Sequence, residues 1–550
     1  MQLTEALLTV LLAGIAESIG QSVVLFVNRV SPARFVLSLL VNGVLVALGY
    51  AALVLCTWLT FLVPGSRPVE IHSLAIAVAV SYTPLLLAFL AALPYAGNAV
   101  LWGLRAAQLV AMATGVAAAV HLTFWASALH VAIGWTVLML SRRAFAKQLT
   151  RAISFVASAV AGTPLVEEKV AVSRVLRDLI RASDHVLAGA PGGNHKHRYG
   201  VPIFGGIIVT FASIAAILVA LTPLHAAIAR VYVGGVVFRA GLDILWIALA
   251  AVLIAAFLAP FETLGWWAGW TGNDVDPAHH AATSPAGATA SEPRRYIVYL
   301  DGISQSSAQY TPDVETFLDA LQAELPAGVR LVRGIMAYSV LNRPLDDDPM
   351  YAEFWKAVER LRSGAKTAIL GMFINIRNVM IVAVSADSRY GPLYNLGMAQ
   401  VVYNDLVRVG YRPHSGVPIT MIGYSGGGQM CAETAPLLKR ALGAPIDVIS
   451  LGGVMTGTCP FLNIDRLHHM HGSRDVIEPL GPLMFSSRWK IVPRSNWNRA
   501  LRKGKITIVP LGPVGHQVPG GMLDPAYALP DGRSALRQTL DRIHDVISTP

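Results

Sequence analysis

The chain has 550 residues, 54% of them hydrophobic and only 14% charged, and its mean hydropathy is +0.53. That excludes both an ordinary water-soluble protein and a disordered one, because neither carries so much apolar surface over this length. The net charge of +10 suits contact with anionic lipid heads; the cations lie beside apolar stretches and no nucleic-acid motif occurs, so nucleic acid is not an expected partner.

Residues 1–30 hold Glu5 and Glu17 among apolar residues. No basic run precedes the apolar one, which argues against a cleaved signal peptide and for an amphipathic helix in the interface. Apolar stretches long enough to cross a bilayer follow at 35–63, 74–93, 99–120 and 122–140, within 31–141, and at 203–221 and 242–258, within 201–270. Together the six predict an N-terminal all-α polytopic membrane domain. Arg105, near the start of the third stretch, either snorkels to an interface or is an internal functional charge.

Residues 142–200 form a predicted basic loop. It has ten Lys or Arg against Glu167, Glu168, Asp178 and Asp184, so the positive-inside rule puts it on the cytoplasmic side. Two further spans return the chain there, which predicts a cytoplasmic C-terminal region and N-terminus; Arg230 and Arg239 in the opposite connection run against this. Trp266, Trp267 and Trp270 fit an interfacial aromatic belt. Residues 271–293, rich in Ala, Gly, Pro, Ser and Thr, read as a flexible linker. Cys56, Cys431 and Cys459 give no disulfide framework, which agrees with a reducing side.

Beyond the linker, 294–550 alternates strands and helices. A strand at 295–300 runs into Asp301-Gly302-Ile303-Ser304. Helices are predicted at 311–325, 351–362, 395–409, 428–442 and 535–547, and strands at 329–332, 418–422, 447–451 and 467–470, with one more just before His516. The apolar run 366–384 reads as a buried strand pair or as a hydrophobic wall for an acyl chain. The sheet is expected to be mostly parallel and doubly wound.

Three residues carry the chemistry. The strand at 418–422 meets Gly423-Tyr424-Ser425-Gly426-Gly427, and a helix follows. This is the setting in which G-x-S-x-G lifts a serine hydroxyl above a sheet and aims the next N–H, that of Gly426, at a developing oxyanion. A serine needs a base and the base needs a carboxylate. Asp475, on the loop after the strand at 467–470, and His516 supply them, in the order Ser, Asp, His. Glu478 is the alternative acid. The run His468, His469 and His471 lacks the carboxylate or cysteine set of a zinc site, so no metal or organic cofactor is expected. The stretch 482–505 interleaves cations with aromatics; Arg488, Trp489, Arg494 and Trp497 either touch lipid as a lid or form a solvated face.

On these motifs residues 294–550 resemble an α/β-hydrolase. That resemblance implies a second oxyanion donor on the loop after an early strand, here the Ile303 N–H; the family's usual His-Gly is Asp301-Gly302 in this chain. In the first half, Val80-Ser81-Tyr82-Thr83-Pro84 with Ala92-Leu93-Pro94-Tyr95-Ala96-Gly97 resembles a Yip1-type membrane domain over 31–141, which implies a role in membrane organisation or trafficking. The expectation is a membrane-anchored serine hydrolase that cleaves esters of membrane lipids or acylated small molecules through an acyl-enzyme. The alternatives are an acyltransferase or thioesterase with the same triad, or a membrane scaffold with an inert hydrolase-like domain.

Overall fold

The computed structural model describes residues 3–62, 69–166, 236–270, 293–306, 310–340 and 367–548, with 173, 174 and 177. The expected span at 203–221, the helix at 351–362 and nearly all of the linker lie outside them. The chain forms two compact units, Met1–Ala171 with Tyr199–Trp246, and Val172–Arg198 with Ile247–Pro550.

The first unit is helical: α1 (Leu3–Gly20), α2 (Val23–Val27), α3 (Pro32–Leu59), α4 (Ile71–Val80), α5 (Gly97–Val120), α6 (Phe124–Ala144) and α7 (Ala146–Ala161). Among the described residues five stretches are long and apolar enough to cross a membrane: Leu3–Gly20, Pro32–Leu62, Ile71–Ala92, Gly97–Val120 and Phe124–Ala144. Leu48, Trp102, Trp125 and Leu129 are exposed on their outer faces, a surface that lipid satisfies and water does not.

Three details differ from expectation. First, α1 has no polar face: Ala6, Val10 and Ala13 are buried on one side, and Leu7, Leu8 and Leu12 are exposed on the other. By length and composition it is a candidate span. Its Glu17 meets Arg105 at 2.5 Å, and Arg105 also donates to Gln108 at 3.2 Å, so Arg105 is an internally paired charge. Second, the span at 71–92 breaks at Ser81-Tyr82 into a 3-10 stretch, Thr83–Ala92, because Pro84 lacks the N–H that a continuing α-helix requires. Third, the basic segment 142–200 opens as helix, with Arg142 and Arg143 ending α6 and α7 following at once.

The predicted stretch 242–258 lies inside one long helix, α8 (Val236–Trp267). Trp266 and Trp267, expected in an aromatic belt, instead pack within the second unit: Trp267 is buried, and a side chain at Gly397 would meet the Trp266 ring at 2.9 Å.

The remainder of the second unit is an α/β layout. Strands β1 (Arg295–Leu300), β2 (Val329–Val332), β3 (Ile419–Tyr424), β4 (Ile446–Leu451), β5 (Arg466–His471) and β6 (Ile506–Pro510) form one sheet in the order β2-β1-β3-β4-β5-β6. Every pairing is parallel. The helices are α9 (Pro312–Glu324), α10 (Thr367–Ala386), α11 (Gly391–Arg408), α12 (Gly426–Leu442), α13 (Leu480–Met484), α14 (Asn496–Arg502) and α15 (Ala535–Ser548). Ile297, Tyr299, Ile422 and Ile449 of the strands pack with Phe317 and Leu321 of α9 and Leu540 and Ile543 of α15. Strand runs this apolar belong to a sheet covered on both faces. The order reverses between β1 and β3, and such a switch leaves a crevice at the carboxyl ends of the strands.

The run 366–384 is not a strand pair but the helix α10. Length decides: the run is longer than a strand, and Ile374, Asn378, Ile381 and Ser385, all buried, recur every three to four residues.

Candidate active site

Because all six strands run the same way, the loops after β1, β3, β5 and β6 emerge at one edge of the sheet. Those loops carry Asp301-Gly302-Ile303, Ser425, Asp475 and His516.

Ser425 joins β3 to α12 with φ 51° and ψ −120°. A residue with a Cβ pays for this backbone, on the order of 1–3 kcal/mol, and the turn is held from both sides. The Ser425 N–H donates to the Leu451 carbonyl at 2.9 Å. A Cβ at Gly423 would stand 2.4 Å from the Gly427 oxygen, and one at Gly427 only 2.3 Å from the Leu300 oxygen. The glycines let β3, α12 and β1 close on one another at this point.

Asp475 and His516 are paired. His516 Nδ1 lies 2.9 Å from Asp475 Oδ2 and 3.1 Å from Oδ1. Asp475 Oδ1 also accepts from the Ile477 and Glu478 amides at 2.8 and 3.0 Å. Burial works against the charge on Asp475, but the His516 hydrogen bond and the two amides outweigh it and hold the carboxyl below its ordinary range. A carboxylate only accepts, so Nδ1 donates to it, which in a neutral imidazole leaves the lone pair on Nε2. Nε2 is buried and has no hydrogen-bond partner among the described residues; no hydrogen bond joins it to Ser425.

The pair rests over the end of β4, next to Ser425. Gly452, at φ 56°, makes room: its Cβ would meet Asp475 Oδ2 at 2.7 Å and His516 Cε1 at 2.9 Å. Tyr424, the residue before the serine, stacks on His516 with ring centroids 5.2 Å apart and donates its hydroxyl to the His516 carbonyl at 2.7 Å.

Glu478, the alternative acid, is engaged elsewhere. Its Oε1 lies 3.0 Å from His469 Nε2 and accepts from Arg488 Nη2 at 2.9 Å. Burial opposes its charge, yet these two partners bring the carboxyl down to about 2. Burial also lowers the basicity of His469, so Arg488 supplies the balancing charge. His469 Nδ1 reaches Ser450 Oγ at 3.1 Å. Arg488 lies 4.1 Å over the Trp497 ring, and Trp497 is buried against Phe461. These two expected lid residues therefore form an internal brace under the acid loop. Trp489 and Arg494 are exposed.

The loop after β1 abuts the serine. A Cβ at Gly302 would meet Ser425 Cβ at 3.3 Å, and one at Gly426 would meet Ile303 Cγ2 at 2.9 Å. Among the described residues the Ile303 N–H makes no hydrogen bond. Asp301 is buried; Tyr299 donates to its Oδ1 at 2.9 Å, and among the described residues Oδ2 has no hydrogen-bond partner. Burial raises its carboxyl to about 7.

Sequence reasoning missed Tyr338, and read Asn378 and Val382 only as part of the apolar run 366–384. A Cβ on Gly426 would lie 2.7 Å from Tyr338 Oη and 2.9 Å from Val382 Cγ2. Folding brings Tyr338 and Val382 to the residue after the serine, and no local signal announces Tyr338. Gly452 did carry a signal, a Gly-Gly pair closing an apolar strand.

No known protein family, curated protein or solved structure matches this sequence.

Proposed function

We propose that residues 294–550 form a serine hydrolase with an α/β-hydrolase fold, tethered by the apolar helices of the first half. One observation carries the reading: Ser425 sits on a strained strand-to-helix turn at the sheet edge to which the next loops bring a buried Asp475–His516 pair with an unspent Nε2.

In this reading Ser425 Oγ attacks an ester carbonyl and passes its proton to His516 Nε2. Asp475 stabilises the imidazolium. The Gly426 and Ile303 amides receive the oxyanion, each contributing about 3 kcal/mol to barrier lowering. His516 then protonates the leaving alcohol, and water releases the acyl group by the same route in reverse. The tether and the apolar α10 beside the serine favour lipid or acyl esters. The ten Lys and Arg of residues 142–200 support a cytoplasmic side for that segment, and the two apolar stretches after it would return the hydrolase to the same side. The broken span at 71–92 is the feature that fits a Yip1-like anchor.

A fluorophosphonate probe tests the reading. Wild-type protein should be labelled and the Ser425→Ala variant should not; an unlabelled wild type, or equal labelling of both, removes the hydrolase.

A further inference from the structure

The end of the apolar helix α8 is wired to the loop that carries Ile303. The stretch 244–261 of α8 holds no charged residue, and Glu262 follows it directly. Glu262 Oε1 accepts from Arg377 Nη2 on α10. Arg377 is 4% exposed, and a guanidinium so deeply buried requires a counter-charge. Its Nη1 donates to Asn378 Oδ1 at 2.9 Å and to the Tyr338 carbonyl at 3.3 Å. Asn378 is fully buried and spends its Nδ2 on two carbonyls of the oxyanion loop, Ile303 at 2.7 Å and Gln305 at 2.8 Å. Tyr338 donates its hydroxyl to the Asp301 carbonyl at 3.0 Å. Both arms starting at Arg377 thus end on the backbone of residues 301–305.

A second contact fixes the helix end independently of charge. Trp266, one turn beyond Glu262, lies against Gly397 of α11; any side chain at 397 would collide with the indole.

We propose that Glu262 is a positioning residue for the oxyanion loop, acting through Arg377 and Asn378, so that the catalytic unit begins in the apolar helix α8 and not at β1. Its catalytic consequence rests on the serine-hydrolase reading. An oxyanion donor acts on the transition state more than on bound substrate, so a loosened loop lowers kcat and leaves KM nearly unchanged.

The test uses the full chain in lipid nanodiscs, with Glu262→Gln and Asn378→Asp. The glutamine keeps an acceptor but no charge; the aspartate keeps the shape but no donor. Two readouts are taken: hydrogen exchange of the peptide covering 301–306, and hydrolysis of p-nitrophenyl butyrate per serine titrated with fluorophosphonate. The expected result is at least tenfold faster exchange at 301–306, with exchange at 472–478 unchanged, and at least a tenfold fall in kcat with KM within twofold. Wild-type exchange and kcat in both variants would overturn the proposal, as would exchange that quickens equally at 472–478, the mark of a merely structural role. An unlabelled wild-type serine would remove the hydrolase reading instead, and the exchange readout would still decide the coupling.

Discussion

Replacing Asp475 by Asn separates a catalytic carboxylate from a packing residue, because the geometry fixes how the amide must sit. Oδ1 already accepts two backbone amides, at 2.8 and 3.0 Å. The amide oxygen takes that place, and the NH2 group faces His516 Nδ1 across what was a 2.9 Å hydrogen bond. Two donors then oppose each other. The imidazole resolves this by moving its proton to Nε2, where it can no longer accept from Ser425. Loss of a charge-assisted hydrogen bond alone is worth about 1.5–3 kcal/mol, or roughly 10- to 150-fold in rate at 1.36 kcal/mol per tenfold. The wrong tautomer brings the total to about 10⁴-fold, the loss found for the equivalent change in a Ser-His-Asp triad, or about 5.4 kcal/mol. The assay is ester turnover together with the rate of fluorophosphonate labelling, both on the full chain. Unfolding should change little, since the loop amides keep their acceptor. A fall of less than tenfold in both rates would refute the tautomer argument and reduce Asp475 to a packing residue.

Ser425→Gly should abolish labelling yet raise the unfolding midpoint of the C-terminal region, by about 1 kcal/mol in stability: glycine removes the cost of φ 51° and loses part of that gain to its freer unfolded state. A lowered midpoint would show that the turn is unstrained. Gly452→Ala should cut turnover by roughly 100-fold or more, because its Cβ displaces Asp475 and His516; wild-type turnover would mean that the pair does not need its present place. Asp301→Asn should flatten the dependence of stability on pH. The folded Asp301 carboxyl titrates at about 7, while an unfolded aspartate titrates at about 3.9. The native state therefore holds a proton that the unfolded state has lost, and wild-type stability falls as pH rises from about 4 to 7. Asp475 and Glu478, both held low, contribute with the opposite sign: their stabilisation is present above about pH 4 and is lost on acidification. Denaturation midpoints at pH 5 and pH 8 check this, and a parallel change in wild type and variant would contradict it.

Short-range physics made much of this chain legible. Apolar runs marked out spans, and the Gly-Ser-Gly turn between strand and helix marked Ser425, because both depend on neighbours in sequence. The strand-pair reading of 366–384 failed because an apolar run of that composition fits a buried strand or a buried helix equally well until its contacts are known. The interfacial reading of residues 1–30 rested on two acids in an apolar stretch, which suggest a polar face. Glu17 instead meets Arg105 from another helix, an encounter at long sequence range. Arg488 and Trp497 looked like surface cations and aromatics; the fold places them beneath the acid loop against Glu478 and Phe461.

By itself the sequence determined two regions of opposite character, the parallel order of strands and helices, and the succession of serine, carboxylate and histidine. Only the tertiary structure decided that His516 takes Asp475 and not Glu478, that Tyr338 and Asn378 stand beside the loop after β1, and that Glu262 of the apolar helix α8 reaches Arg377. The reason is physical. Periodicity and turn chemistry act over a few residues, whereas the pairing of buried charges is settled only once the packed chain has removed water and left each group its available partners.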